Sequence, residues 1–114
     1  MPKLWRLTHA AEASLIDIAE WTHATFGPRQ AAAYEEDLIA ICHDIAAGTA
    51  TSQDCRRLID PGLKEDLRFA RAGQHFVVFI EDAKQIIIID FLHVRSDLPR
   101  RIASLSLARG GRDN

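Results

Sequence analysis

The sequence has little that could brace a fold from outside its core. Two cysteines, Cys42 and Cys55, in 114 residues are too few for a disulfide framework. They also lack the paired spacing of a structural metal site, since neither Cys-x2-Cys nor His-x3-His occurs, and no metal is expected. Glycine is sparse, and the pair Gly110-Gly111 has no strand pattern before it. A phosphate-cradling loop, and with it a nucleotide cofactor, is therefore not expected. No Gly-x-Ser-x-Gly elbow is present, which removes the main support for acyl transfer. No segment approaches the ~18 consecutive apolar residues of a membrane helix. Met1 to Arg6 carries basic residues with no apolar stretch behind them, unlike a signal peptide. The expected setting is the cytosol, with neither cofactor nor membrane as partner.

What is present is ordinary for a globular protein. Apolar residues make up 47% and charged residues 26%, and the length predicts one domain spanning residues 1–114. Net charge is −2, less positive than a broad nucleic-acid-gripping face requires. The halves differ: residues 1–54 hold three basic and eight acidic side chains, and residues 55–114 hold eleven and eight. An acidic helical half and a more basic sheet half follow, the arginines of the second being available to a partner or simply solvated.

Leu4 to Thr8 reads as a first strand. Thr8 is placed to cap a helix carrying Glu12 in its first turn. Leu15, Ile18, Ala19, Thr22 and Phe26 recur at helical spacing as one apolar stripe. Gly27-Pro28 supplies a left-handed stop and then a first-turn proline for a second helix. Ala31, Tyr34, Leu38, Ile41, Cys42 and Ile45 form the buried face of that helix, and Gly48 ends it. Residues from about 9 to 47 thus form an antiparallel helical hairpin, whose stripes need a sheet beneath them. Residues 49–64 read as turn-rich, with Pro61-Gly62 as a turn. Strands follow at Leu67 to Arg71, His75 to Ile80 and Gln85 to Leu92, with turns at Ala72-Gly73 and Glu81 to Lys84. The four isoleucines Ile86 to Ile89 mark a central strand buried on both faces. Pro99 opens a short helix through Leu107, and Gly110-Gly111 leads into a loose tail. The fold class is α+β: an N-terminal strand, a helical hairpin on a small, mostly antiparallel sheet, and a short C-terminal helix.

The residues with chemical potential lie on the sheet: Arg68, Arg71, His75, His93, Arg95 and Asp97. Arg68 and Arg71 share a strand but not a face. His93-x-Arg95-x-Asp97 alternates at the end of the central strand, so those three should project to one side. Arginines beside a histidine can hold a phosphate and move a proton, as RNA cleavage requires. They can equally form an ion-pair knot, with Asp97 pairing Arg95 or capping the helix near Pro99. His9, His23 and His43 read as surface residues, and Cys42 as a small core hydrophobe.

Four stretches in order resemble the ParE branch of the RelE/ParE toxin family. They are Ala11 to Gly27, with Asp17-Ile18-Ala19-Glu20-Trp21 and Phe26-Gly27; Gln30-Ala31 with Tyr34 and Leu38; Gly73 to Phe79; and Ile88 to Asp97. The resemblance implies the toxin half of a type II toxin–antitoxin pair, in which growth arrest follows from inhibition of DNA gyrase by binding rather than by catalysis. It further implies a ParD-like antitoxin whose extended C-terminal segment wraps the toxin and whose N-terminal part contacts operator DNA. RelE-like relatives instead cut messenger RNA on the ribosome. That alternative would use His75 or His93 as acid or base, with Arg68, Arg71 and Arg95 on the phosphate. The chain departs from that branch: its one tyrosine, Tyr34, is on the second helix, and its net charge is acidic. A third reading is a non-toxic module that only helps its partner repress transcription.

No catalytic assignment is carried over from the family. Target-binding candidates are Arg68, Arg71, His93, Arg95 and Asp97. The antitoxin is expected over the sheet edge and the groove beside the hairpin. Trp5, Trp21 and Phe26 are candidate aromatic anchors, with core packing as the competing fate of each.

Overall fold

The computed structural model describes residues 2–63 and 66–111, the last five of these in backbone only. The elements run β1 (Leu4–Leu7), α1 (His9–Phe26), α2 (Pro28–Ala47), β2 (Gln53–Asp54), α3 (Cys55–Leu58), β3 (Arg68–Ala72), β4 (His75–Glu81), β5 (Gln85–His93) and α4 (Leu98–Gly111). The sheet order is β1-β5-β4-β3-β2. β1 runs parallel to β5, and the other neighbours are antiparallel. Among the described residues no helix is long and apolar enough to cross a membrane.

The helix boundaries follow from local chemistry. Thr8 accepts from the Ala11 N–H at 3.1 Å and donates its hydroxyl to the Ile89 carbonyl at 2.8 Å. One side chain thereby caps α1 and ties its start to the central strand. Gly27, at φ 94°, returns its N–H to His23 while Pro28 opens α2, so the hairpin needs no longer connection. Gly48 closes α2 in the left-handed region at φ 77°, as a C-terminal glycine does.

β5 has a separate apolar layer on each face. Ile86, Ile88 and Phe91 join Leu38, Cys42 and Ile45 of α2 and Ala11 of α1. Ile87, Ile89 and Leu92 join Ile102 of α4, Cys55 and Leu67. Each fully buried side chain of this size contributes about 1.5–3 kcal/mol. The expected strand–hairpin–sheet architecture is therefore present, with the isoleucine tract at its centre.

Between those faces lies a β-bulge. Phe79 pairs with Ile88 and Val78 with Asp90, which leaves Ile89 as the extra residue. Up to Ile88 the even-numbered residues of β5 face the hairpin; beyond the bulge Phe91 does. By alternation His93 then shares that face, directly opposite His75.

Some expectations require correction. Residues 49–64 are not a plain loop: β2 adds a two-residue edge strand and α3 a single turn. The turn after β3 is Gly73-Gln74 rather than Ala72-Gly73. The last helix runs through Gly111, taking in the Gly110-Gly111 pair expected to begin a tail; residues 112–114 lie outside the described residues. On α1, Thr22 is buried, Leu15, Ile18 and Ala19 are half-buried, and Phe26 is 59% exposed. The stripe thus ends before the helix does.

Candidate functional site

At the hairpin joint, the last turns of α1 and the start of α2 lean over the tips of β4 and β5 without closing on them. A groove of about 520 Å³ remains. Ile18, Trp21 and Phe26 line it from α1, Tyr34 from α2, and His75 and His93 from the strands. Trp21 is 63% exposed and meets Phe26 edge to face at 5.9 Å. The pair leaves an exposed apolar patch on the groove wall.

Tyr34 organises the floor. Its hydroxyl accepts from the Gln74 N–H at 3.0 Å and lies 2.6 Å from His75 Nδ1 and 3.3 Å from the Ala72 carbonyl. The shorter contact assigns its proton to His75 Nδ1, a tautomer choice made from the hydrogen-bond network. Gly73 makes this approach possible: at φ 59°, a Cβ there would stand 2.7 Å from Tyr34 Cε1. The His75 and His93 rings are edge to face at 5.1 Å. His93 Nδ1 accepts from the Arg95 N–H at 3.0 Å, so the neutral ring carries its proton on Nε2.

Burial first, and the neighbouring His93 second, push His75 down to about 4. Burial also raises Tyr34, partly offset by the Gln74 N–H. His75 is thus neutral in the folded protein at neutral pH, whereas in the unfolded chain it takes a proton near the usual 6.5. The unfolded state binds more protons in that interval. Stability from this residue is complete above about pH 6.5 and is lost as pH falls towards about 4. Urea midpoints should fall between pH 7.5 and pH 5, and His75→Asn, which keeps an acceptor for Tyr34, should flatten the drop.

The six residues grouped by sequence do not assemble. Arg68 lies at the β2 edge, donating to the Ser52 hydroxyl and carbonyl at 3.0 and 3.4 Å. It lines a separate polar cleft with Lys3, Asp66 and Glu81. Arg71 donates to the Gly73 carbonyl at 3.0 Å. Arg95 and Asp97 are not strand residues, because β5 ends at His93 and the chain turns. The expected one-sided projection of His93, Arg95 and Asp97 is therefore not found. Asp97 takes the capping role instead, accepting from Arg100 and Arg101 through its side chain and carbonyl. No ion pair joins it to Arg95 among the described residues. Only His75 and His93 of the set come together.

Trp5 packs partly buried against the hairpin core and donates to His43 Nδ1 at 3.3 Å. It has the packing role, while Trp21 and Phe26 do not. Cys42 and Cys55 are buried and free, each pushed up to about 12 by desolvation. Among the described residues no three histidine, cysteine or acidic side chains could jointly hold a metal ion.

Comparison with known proteins fits this geometry. The family described as "ParE toxin of type II toxin-antitoxin system, parDE" matches residues 5–98. No curated protein matches the sequence. Among solved structures, one described as the chromosomal ParDE TA system from P. aeruginosa superposes with a TM-score of 0.57. It is 15% identical, over 80% of this chain and 95% of that one, a likeness of fold.

Proposed function

The chain belongs to the ParE toxin family of type II toxin–antitoxin systems, and from that premise we propose that it arrests growth by binding DNA gyrase and is held inactive by a ParD-like antitoxin. The toxin role rests on the family match over residues 5–98. One observation favours action by binding over RNA cleavage: the basic side chains that would have to grip a phosphate are dispersed. Arg68 is occupied at the β2 edge, Arg71 is folded back on the β3–β4 turn, and Arg95 meets His93 through its backbone N–H rather than its guanidinium. His75, pushed down to about 4, is also poorly matched to acid catalysis at neutral pH. Operator DNA is reached through the antitoxin in this reading. A supercoiling assay with purified gyrase should show inhibition at micromolar toxin, relieved by antitoxin. Full gyrase activity across that range counts against the target.

The His75–His93–Tyr34 cluster favours a second reading, cleavage of ribosome-bound messages with one histidine as acid or base. Primer extension on translated messages during growth arrest separates the two: discrete new 5′ ends support cleavage, and their absence removes it.

A further inference from the structure

Resting on the antitoxin reading above, we infer that the groove under the hairpin joint seats one bulky apolar side chain of the antitoxin, with an adjacent antitoxin carboxylate accepting from His75 and His93. Three observations meet there. The walls are apolar and open: Ile18, Trp21 and Phe26 face a space of about 520 Å³, ample for a Leu- or Phe-sized anchor. At its strand end both histidines have Nδ1 engaged, His75 with Tyr34 and His93 with the Arg95 N–H. Their Nε2–H groups have no protein acceptor among the described residues, so two donors stand at the end of an apolar slot.

Charge orients the occupant. The strand end presents the two ring N–H donors, and there Asp37 and Arg71 act on Tyr34 in opposite senses, while the α1 wall carries Asp17. A carboxylate belongs at the histidine end and is repelled from the helical one. The same distribution argues against a second copy of this chain. A two-fold contact through Trp21 would set Asp17 and Glu20 of α1 against their own copies.

The experiment titrates the whole protein with its cognate ParD-like antitoxin, comparing Trp21→Ser, Phe26→Ser and His93→Asn. Trp21 and Phe26 are exposed, so both serine variants should melt as the parent does. Asparagine at 93 can still accept the Arg95 N–H but offers no donor at the Nε2 position. Trp21→Ser and Phe26→Ser should each weaken binding about thirtyfold or more, as buried aromatic anchors do. His93→Asn should weaken it about tenfold, the loss of a charge-assisted hydrogen bond. Leu58→Ser, at an exposed apolar residue on α3, should leave affinity unchanged. Tight binding by the parent with all variants within about threefold of it overturns the groove assignment and leaves the toxin–antitoxin reading standing. No binding by the parent overturns both. A parent dimer that Trp21→Ser dissociates gives the groove to a second copy and overturns the inference as well.

Discussion

Asp90→Ala should lower stability by about 2–4 kcal/mol, whereas Asp90→Asn should stay within about 1 kcal/mol of the parent, as expected for buried polar partners left with or without an acceptor. Asp90 is 6% exposed, and one carboxylate oxygen accepts from the Ser14 hydroxyl at 2.5 Å and from the Phe91 N–H at 2.8 Å. Its position explains why such a costly residue is there. β1 pairs with β5 only as far as Ile88; beyond that, Thr8 takes the Ile89 carbonyl and Asp90 takes the Phe91 N–H. Two side chains finish the edge that the short strand leaves open. Alanine removes the acceptor for both donors, and asparagine keeps it.

The same carboxyl carries a pH signature. Burial, outweighing the Ser14 and Phe91 hydrogen bonds, raises it above the usual carboxylate value. The folded state therefore holds this proton more tightly than the unfolded chain. The contribution is favourable below the ordinary carboxylate pKa and is lost as pH rises through the folded one. Urea titrations at pH 4 and pH 7 should show Asp90→Asn gaining on the parent as pH rises. A loss by asparagine as large as that by alanine would show that the charge, not the acceptor, matters at this edge.

Much of the frame was legible because it is written in local chemistry. Thr8, Gly27-Pro28 and Gly48 each act within one helical turn, so their residue types alone predict where α1 and α2 begin and end. The isoleucine tract announces a strand buried on both faces, yet for that very reason hides the bulge. With no polar–apolar alternation from Ile86 to Ile89, nothing marks the residue at which the facing shifts. Regular pairing from Ile88 onward would set Ile89 opposite Val78 and His93 opposite Gln74, on the α4 face. The site depends on that single extra residue. β2 and α3 are too short to show a period. Phe26 falls outside the buried stripe for another reason: helical spacing says which residues share a face, not whether a sheet extends beneath it. Tyr34 was read as core; its meeting with His75, 41 positions away, has no local signal beyond the glycine that permits it.

Leu38→Ala is expected to cost about 3–5 kcal/mol, the range for emptying a close-packed leucine site. Leu38 is 0% exposed and belongs to the layer between α2 and the inner faces of β3, β4 and β5. Against a total of about 5–15 kcal/mol for a domain, that is enough to leave the hairpin loosely held. Ile16→Ala, on the outer side of α1 and 58% exposed, should change stability by no more than about 0.5 kcal/mol. The groove makes this contrast functional, because its walls come from α1, α2, β4 and β5 and keep their spacing only while the hairpin is seated. A partner that binds the folded form alone restores about 2.7 kcal/mol at a hundred times its Kd. Denaturation of Leu38→Ala with antitoxin present should therefore recover most of the lost midpoint. Little loss in the isolated protein would mean that α2 is not held on the sheet through this residue; a large loss with no recovery would mean that the partner does not bridge hairpin and sheet.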